Sequence, residues 1–281
     1  MSIALVAGSA AYSDAIPGTV SSVPYAASVG ASSLFIVHLW YIVWWNSACT
    51  GDLTVSDTLG NGNYTKAYSS WVNIVDTQWD YHAVFYNMNT KGAGANTVNL
   101  TGYHSSTGST YTSVIIDEVT GAAASPYDTI GQNIGTDGSY ASGTQILNMP
   151  ALSPAGTGEL IYVDLIDDGG AGQITALTAN DIYTIDQDLT GDTWGGSESG
   201  VYSGSGSYTP TFKVTTSGTG TWHAMVTAWT PAAGGANWLQ EGYWWNNPYS
   251  GGNQYWRPKG SSIFRPKRHN HFVLDLGRKA A

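Results

Sequence analysis

The sequence is poor in cysteine and in charge, and each shortage excludes a class of protein. Cys49 is the only cysteine among 281 residues, so the chain cannot form an internal disulfide and is not a small disulfide-stabilised scaffold. Charged residues make up 11 % of the chain, against roughly 25 % in ordinary soluble domains. Such a surface must consist largely of Ser, Thr, Asn, Gly and Tyr, as in extracellular proteins and in subunits that pack into assemblies.

Membrane-spanning and secretory patterns are missing as well. The longest apolar run, Leu34 to Trp45, contains His38 and is shorter than the about 20 residues that a membrane helix needs. It predicts a central strand that is buried on both faces. The segment from Met1 to Ala15 has no Lys or Arg at its start, so we expect no secretory signal and no membrane anchor.

Basic residues are almost absent from most of the chain. Residues 1–240 contain three lysines against eighteen Asp and Glu, whereas residues 241–281 contain seven basic residues against two acidic ones. The two parts therefore have opposite net charge, and a basic arm of one copy would be attracted to the acidic body of another. We expect no nucleic acid partner, because the acidic body would repel phosphate.

Short segments rich in Val, Ile, Thr, Tyr and Trp alternate with Gly, Asn and Pro turns, and no stretch of twelve residues has a helical period. The pattern predicts an all-β fold, an antiparallel jelly-roll-like β-sandwich with extended N- and C-terminal arms. We expect an N-terminal arm over 1–30, the sandwich over 31–232 and an aromatic and basic C-terminal arm over 233–281. No internal repeat of fixed period is visible.

One turn gives a more local prediction. The residues from Leu59 to Asn63 are rich in Gly and Asn and separate two apolar segments, Leu53 to Thr58 and Tyr64 to Tyr68. This arrangement is typical of a β-hairpin.

Four groups of turn and strand residues carry a resemblance to a known type of module. They are 57–61 (DTLGN), 84–86 (VFY) with 92–98 (GAGANTV), 116–121 (IDEVTG) with 126–128 (PYD), and 159–163 (ELIYV). Together they resemble a jelly-roll module of bacterial surface proteins and phage structural (virion) proteins. The resemblance implies a virion location and a structural role, such as that of a decoration or tail protein.

No arrangement of residues predicts an enzyme. The acidic pair Asp117 and Glu118 is adjacent in a predicted strand, so the two carboxylates point to opposite faces and cannot cooperate in glycoside hydrolysis. His38, His82, His104 and His223 lie singly on or beside predicted strands, without the Cys or acidic neighbours of a zinc site.

Two binding sites remain open as hypotheses. Asp186, Asp188 and Asp192 supply three carboxylates within seven residues beside Gly191, a loop composition that suits calcium, the one cofactor considered, but also suits solvated turns. Trp71, Trp79 and Trp194 lie in or beside predicted loops, where exposed aromatic rings can stack on sugars, although such rings more often fill cores.

The C-terminal arm supplies the candidate subunit contacts, because it combines bulky aromatic residues with basic ones. These candidates are Trp244, Trp245, Trp256, Arg257, Arg265, Lys267 and Arg268. The leading hypothesis is a structural protein of a phage virion or a similar extracellular assembly, whose partners are copies of itself or other virion proteins. The alternative is a carbohydrate-binding β-sandwich module of a secreted, cell-surface or receptor-binding protein, with a surface glycan as ligand.

Overall fold

The computed structural model describes residues 2–15, 18–75, 77–104, 110–132, 138–170, 172–190 and 195–232, with the pairs 244–245 and 255–256. Every regular element within these residues is a β-strand, and all the pairs between named strands are antiparallel. The predicted all-β, antiparallel sandwich is therefore confirmed. Residues 1–233 form one compact unit and residues 234–281 a second.

The strands before Gly121 make up the first half of the larger unit. They are β1 (Ala4–Leu5), β2 (Ala11–Ala15), β3 (Ser22–Pro24), β4 (Leu34–Trp44), β5 (Thr54–Asp57), β6 (Thr65–Val75), β7 (Gln78–Met88), β8 (Thr97–Thr101) and β9 (Thr110–Thr120). One sheet has the order β1-β9-β4-β7-β6, with β2 also pairing with β9, and a smaller sheet has the order β3-β8-β5.

The strands after Gly121 make up the second half. They are β10 (Ala122–Gln132), β11 (Gly138–Tyr140), β12 (Gly143–Asn148), β13 (Glu159–Gly170), β14 (Ile174–Thr178), β15 (Thr184–Asp188), β16 (Gly195–Tyr202), β17 (Thr211–Thr216) and β18 (Gly220–Pro231). The large sheet has the order β10-β18-β13-β16-β15, with β11 also pairing with β18, and the small sheet has the order β12-β17-β14.

The two halves have the same topology. Each strand pairing of the first half recurs in the second half between strands whose numbers are higher by nine. For example, β9 pairs with β4, and β18 pairs with β13. In both halves the first two strands pair with the last one. The chain therefore contains a structural duplication, although the sequence shows no repeat of fixed period.

Three apolar layers hold the larger unit together. The first interior lies between the two sheets of the first half and includes Phe35, Val37 and Leu100. The second interior lies between the sheets of the second half and includes Val163 and Phe212. A third cluster joins β4, β7 and β9 of one large sheet to β13 and β18 of the other. We call it the central layer, and it places the two large sheets face to face with the small sheets outside.

The central position of β4 explains its composition. Phe35, Val37 and Leu39 point into the first interior, whereas Leu34 and Ile36 point into the central layer. Because both faces are covered, nearly every residue must be apolar. The prediction of a strand buried on both faces is confirmed.

A single residue joins the halves. Gly121 follows β9 and precedes β10, and its φ of 73° lies in the left-handed region that favours glycine. A Cβ at this position would lie 2.3 Å from the backbone oxygen of Ser2. The chain passes between the halves here because glycine needs no side-chain space.

Two local expectations differ from the structure. The predicted hairpin has its turn, since Asp57 accepts hydrogen bonds from the backbone of Gly60 and Asn61. However, β5 pairs with β8 and β6 pairs with β7, because the turn carries the chain from the small sheet to the large one. Residues 1–30, expected as an extended arm, contain β1, β2 and β3, which pair with β9 and β8.

The smaller unit is described only at two short strands. These are β19 (Trp244–Trp245) and β20 (Tyr255–Trp256), which pair with each other in an antiparallel ladder. The described residues of the chain include no helix that is long and apolar enough to cross a membrane.

Candidate functional site

Polar side chains interrupt the central layer at its middle. Along β4 and β13, alternate residues face the layer, and this alternation brings His38 and Trp40 of one sheet opposite Tyr162 and Asp164 of the other. Asp117 of β9 faces the same layer. His38, Tyr162, Asp117 and Asp164 are each no more than 1 % exposed, so these groups depend on one another rather than on water.

Two hydrogen bonds cross between the sheets in this cluster. The Tyr162 hydroxyl donates to Asp117 Oδ2 over 2.5 Å, and the indole N–H of Trp40 donates to Asp164 Oδ2 over 3.2 Å. His38 Nδ1 lies 3.7 Å from the same Asp164 oxygen. Asp117 Oδ1 and Asp164 Oδ1 are buried and accept no hydrogen bond. Each carboxyl group is thus held by one oxygen and leaves the other unsatisfied.

Burial controls the protonation of this cluster. It raises the pKa of Asp117 and of Asp164 to about 7, and the donors Tyr162 and Trp40 only partly offset the effect. Burial also lowers the pKa of His38 to about 3. The neutral imidazole therefore faces a carboxyl group that is partly protonated near pH 7.

A second group of rings continues the cluster along β4. His82 of β7 and His223 of β18 both lie against Trp40, and the ring centroids of the two histidines are 5.6 Å apart. Burial, and then the neighbouring His223, lower the pKa of His82 well below its ordinary value. Burial therefore keeps His82 uncharged, and both histidine rings pack against Trp40.

A cavity of about 490 Å³ opens at the edge of the central layer. Its walls come from the N-terminal segment before β2, from the edge strand β15 and its neighbour β16, and from single residues of β9 and β13. The lining residues are Ala4 to Gly8, Ala10, Asp117, Leu160, Ile182, Thr184, Ile185, Asp186, Ser199, Gly200 and Val201. A volume of this size is within the usual range for small-ligand sites, roughly 300–1,000 Å³.

The polar groups of the cavity are two carboxyl groups and their hydroxyl neighbours. Asp117 is at its inner end, fully buried, and Asp186 is half-buried on β15. Burial first, and then the negative charge of Asp117, raise the pKa of Asp186 to about 8, with a partial offset from Ser199. A carboxyl group whose ionisation is hindered by burial and by a neighbouring carboxylate in a partly apolar cavity has unusual electrostatics, of the kind often found at functional positions.

The sequence-predicted calcium residues are separated by the structure. Asp186 lines the cavity, whereas Asp188 is exposed and its Oδ1 accepts hydrogen bonds from the Thr190 backbone and hydroxyl. Asp192 lies outside the described residues. Among the residues that the structure describes, no group of three or more His, Cys, Asp and Glu is arranged to hold a metal ion. Calcium binding at these three residues stays a prediction.

Two of the predicted glycan-binding residues lie at one end of the first half. Trp71 and Trp79, on the adjacent strands β6 and β7, are half-buried and pack against the first interior together with Trp45. Trp71 donates its indole N–H to the Gly51 oxygen over 2.9 Å and lies against Tyr41 and Tyr81. Trp194 lies outside the described residues.

The predicted subunit contacts fall mainly outside the described residues. Trp244, Trp245 and Trp256 belong to β19 and β20, of which only the backbone ladder is described. Arg257, Arg265, Lys267 and Arg268 lie outside the described part of the chain.

Sequence reasoning missed the cavity, although it considered two of its residues, Asp117 and Asp186, separately. Asp117 and Glu118 do point to opposite faces, as expected: Asp117 faces Tyr162, and Glu118 Oε1 accepts from Gly30 N over 2.6 Å and from the Ser33 hydroxyl. The partner of Asp117 is Asp186, 69 positions further along the chain. Only knowledge of how the two large sheets pack could have joined them.

Comparisons with known proteins add no relative. No family model, no curated protein and no solved structure matches the chain. The function must therefore be argued from the residues and their geometry alone.

Proposed function

We propose that the protein is a structural subunit of a phage virion or a similar extracellular assembly, in which the C-terminal arm of one copy binds the body of another. The observation that carries the proposal is the division of charge. All seven basic residues beyond residue 240 stand against a body with three lysines and eighteen acidic residues. Oppositely charged surfaces on one chain favour head-to-tail contacts between copies, which form rings or open lattices.

The body supports this role through its construction. Two sandwich halves share a central layer that contains large buried side chains such as Trp229 and Tyr162. Full burial of one such side chain stabilises a fold by about 1.5 to 3 kcal/mol. A subunit that transmits load between neighbours benefits from halves that are packed together rather than linked flexibly.

Charge reversal in the arm of the full chain tests the proposal. The triple variant Arg265→Glu, Lys267→Glu, Arg268→Glu should lose self-association in sedimentation velocity at low salt. The matched control reverses the three lysines of the body, Lys66, Lys91 and Lys213, and produces the same change in net charge. Association of the natural chain should also weaken with added salt, because salt screens such contacts. Equal behaviour of the two triple variants would contradict the proposal.

A second candidate function, glycan binding, is favoured by one observation. Trp45, Trp71 and Trp79 form a half-buried aromatic group at one end of the first half, beside Asp52, which accepts hydrogen bonds from Lys66, Ser69 and Tyr81. Aromatic rings next to polar side chains suit sugar recognition.

Glycan-array binding by the natural chain, followed by the Trp79→Phe and Trp79→Ala variants, tests this candidate. Binding should fall stepwise as the ring area decreases. Trp44→Phe and Trp44→Ala are the controls, because Trp44 ends β4 on the other face, where it packs against Tyr111. Absence of binding by the natural chain would remove the candidate.

A further inference from the structure

The cavity beside the central layer contains an acceptor without a donor. Asp117 Oδ2 is occupied by the Tyr162 hydroxyl, but Asp117 Oδ1 is buried and accepts no hydrogen bond. Asp117 itself is 0 % exposed and lines the cavity. A buried carboxylate oxygen without a partner is costly, so a donor that entered the cavity would remove the cost.

The second carboxyl group makes the demand for positive charge stronger. Asp186 Oδ2 is also buried without a hydrogen-bond partner, and the negative charge of Asp117 opposes the ionisation of Asp186. None of the three lysines of the body lines the cavity. Two carboxyl groups with unsatisfied oxygens favour an occupant that is positively charged and donates hydrogen bonds.

The walls between the carboxyl groups and solvent are mostly apolar. Ala4, Leu5, Val6, Leu160 and Ile185 contribute to them. Ile182 and Val201, which also line the cavity, are 37 % and 41 % exposed. Large apolar side chains that remain accessible at a cavity are typical of binding sites for a ligand with an apolar portion.

We propose that this cavity binds a cationic group, an ammonium or a guanidinium, carried on a short apolar stem. The charged end donates to Asp117 and Asp186, and the stem lies along the wall formed by β1, β15 and β16. A bare metal ion fits less well, since hard cations require about six oxygen ligands and the walls supply mainly hydrocarbon. An anion is disfavoured by both carboxyl groups.

Two sources can supply this chemistry. One is a free organic amine, and the other is a Lys or Arg side chain from another copy, since these side chains combine a cation with a flexible apolar stem. The proposal that the cavity binds a cation does not require self-assembly. Only the side chain of another copy, as occupant, rests on the proposed function.

The experiment titrates the full chain with hexylammonium at pH 8 and low salt, by calorimetry or by NMR shift changes. Hexanoate and hexanol are the matched anionic and neutral ligands. We expect hexylammonium to bind with a Kd on the order of 0.1 to 1 mM, as is usual for a ligand of this size. Hexanoate and hexanol should bind at least about tenfold more weakly, since the charge of the ligand is the discriminating feature.

Three variants locate the binding. Asp117→Asn should weaken hexylammonium about tenfold or more, because it replaces the buried charge by a neutral group. Ala7→Trp keeps both carboxyl groups but fills the cavity from an exposed position, and it should weaken binding to a similar degree. Asp188→Asn is the control, because Asp188 lies on β15 with Asp186 but is not one of the lining residues. A urea unfolding curve for each variant separates lost binding from lost folding.

The affinity should also depend on pH. Between pH 8 and pH 6 it should fall by about tenfold, since protonated carboxyl groups no longer attract a cation. Equal affinity of Asp117→Asn, of Ala7→Trp and of the natural chain would overturn the proposal, as would equal binding of hexylammonium and hexanoate or no binding of hexylammonium.

Competition distinguishes the sources. A peptide with the sequence of residues 257–268 contains five basic residues, two of them at the positions of Arg257 and Arg265. If this peptide displaces hexylammonium, the result supports a side chain of another copy as the occupant. If hexylammonium binds and the peptide does not displace it, the result supports a free amine as the occupant. Self-association of the arm variants then tests the proposed function and not the binding site.

Discussion

The two halves of the body share their strand pairings but differ in how they bury carboxyl groups. In the first half, Asp57 is 8 % exposed and accepts hydrogen bonds from Gly60 N, Asn61 N, the Asn61 amide and the Tyr64 hydroxyl. In the second half, Glu198 is 0 % exposed, and neither of its carboxyl oxygens accepts a hydrogen bond. Identical topology therefore coexists with opposite environments for these two carboxyl groups.

The difference lies in which residues of the large sheets face the two interiors. Val37 of β4 lies opposite Phe85 of β7, and Val163 of β13 lies opposite Glu198 of β16. Directly opposite residues share a face of the sheet, so Phe85 fills the first interior where Glu198 enters the second. The first half is a conventional apolar core, and the second half carries a polar defect that the topology tolerates.

The largest expected effect concerns the joint that both halves depend on. Gly121→Ala should lower the free energy of unfolding by roughly 4 kcal/mol or more, because alanine at a positive φ is strained and its Cβ meets the Ser2 backbone. The N-terminal segment cannot easily move aside, since Ile3 is fully buried in the central layer. Urea unfolding of the full chain measures the change.

Gly143→Ala is the matched control for that prediction. Gly143 has a φ of 107°, but a Cβ there would meet nothing within 4 Å. Alanine at this position should cost only about 1 kcal/mol, from backbone strain alone. If Gly121→Ala costs no more than Gly143→Ala, the joint is looser than the structure indicates and the halves are not tightly coupled there.

The next effect concerns the pH dependence of the stability of the central layer. The pKa of Asp117 is about 7 in the folded chain against about 4 when unfolded. Ionisation of Asp117 therefore destabilises the fold progressively as the pH rises from 4 to 7. The Asp117→Asn variant escapes this loss. Its stability relative to the natural chain should increase over that range by up to about 4 kcal/mol.

The pH dependence of stability that His38 causes has the opposite sign. Its pKa is about 3 in the folded chain against 6.5 when unfolded, so the natural chain loses stability as the pH falls from 6.5 towards 3. The His38→Gln variant should therefore gain relative stability in the direction of acid, whereas Asp117→Asn gains it in the direction of neutral pH. Parallel pH profiles for the two variants would show that burial does not control the central layer as argued.

Much of this architecture could be predicted from the sequence, and the missing part has a physical cause. The apolar run in β4 and the short apolar segments between Gly, Asn and Pro turns predicted the fold class, because the burial of a strand leaves a local pattern in the sequence. The pairing of β5 with β8 and the contact of Asp117 with Tyr162 leave no such pattern. Both depend on which sheets pack against each other. Asp117 and Tyr162 are 45 positions apart, and no local sequence pattern connects them.

The duplication was hidden for a related reason. Corresponding strands need the same pattern of buried and exposed positions, but not the same residues, so Phe85 and Glu198 can occupy corresponding places. The C-terminal arm differs again. Its charge and aromatic content were evident from the sequence, and its contacts stay a prediction.

The smallest expected effect tests the polar defect in the second interior. Burial, and then the charges of Asp186 and Asp181, raise the pKa of Glu198 to about 9, so its ionisation destabilises the fold increasingly from about pH 5 to pH 9. Glu198→Met, a substitution of similar volume, should raise the free energy of unfolding by about 2 kcal/mol at pH 7. This value allows for screening by water near the partly exposed neighbours of Glu198. Glu198→Gln should show the same pH trend with a smaller gain, since the amide stays polar. The reciprocal change, Phe85→Gln in the first half, should lower stability at every pH because it introduces the defect that Phe85 excludes. If Glu198→Met lowers stability instead, Glu198 has a partner in solution, and the second interior is then a polar site rather than a tolerated defect.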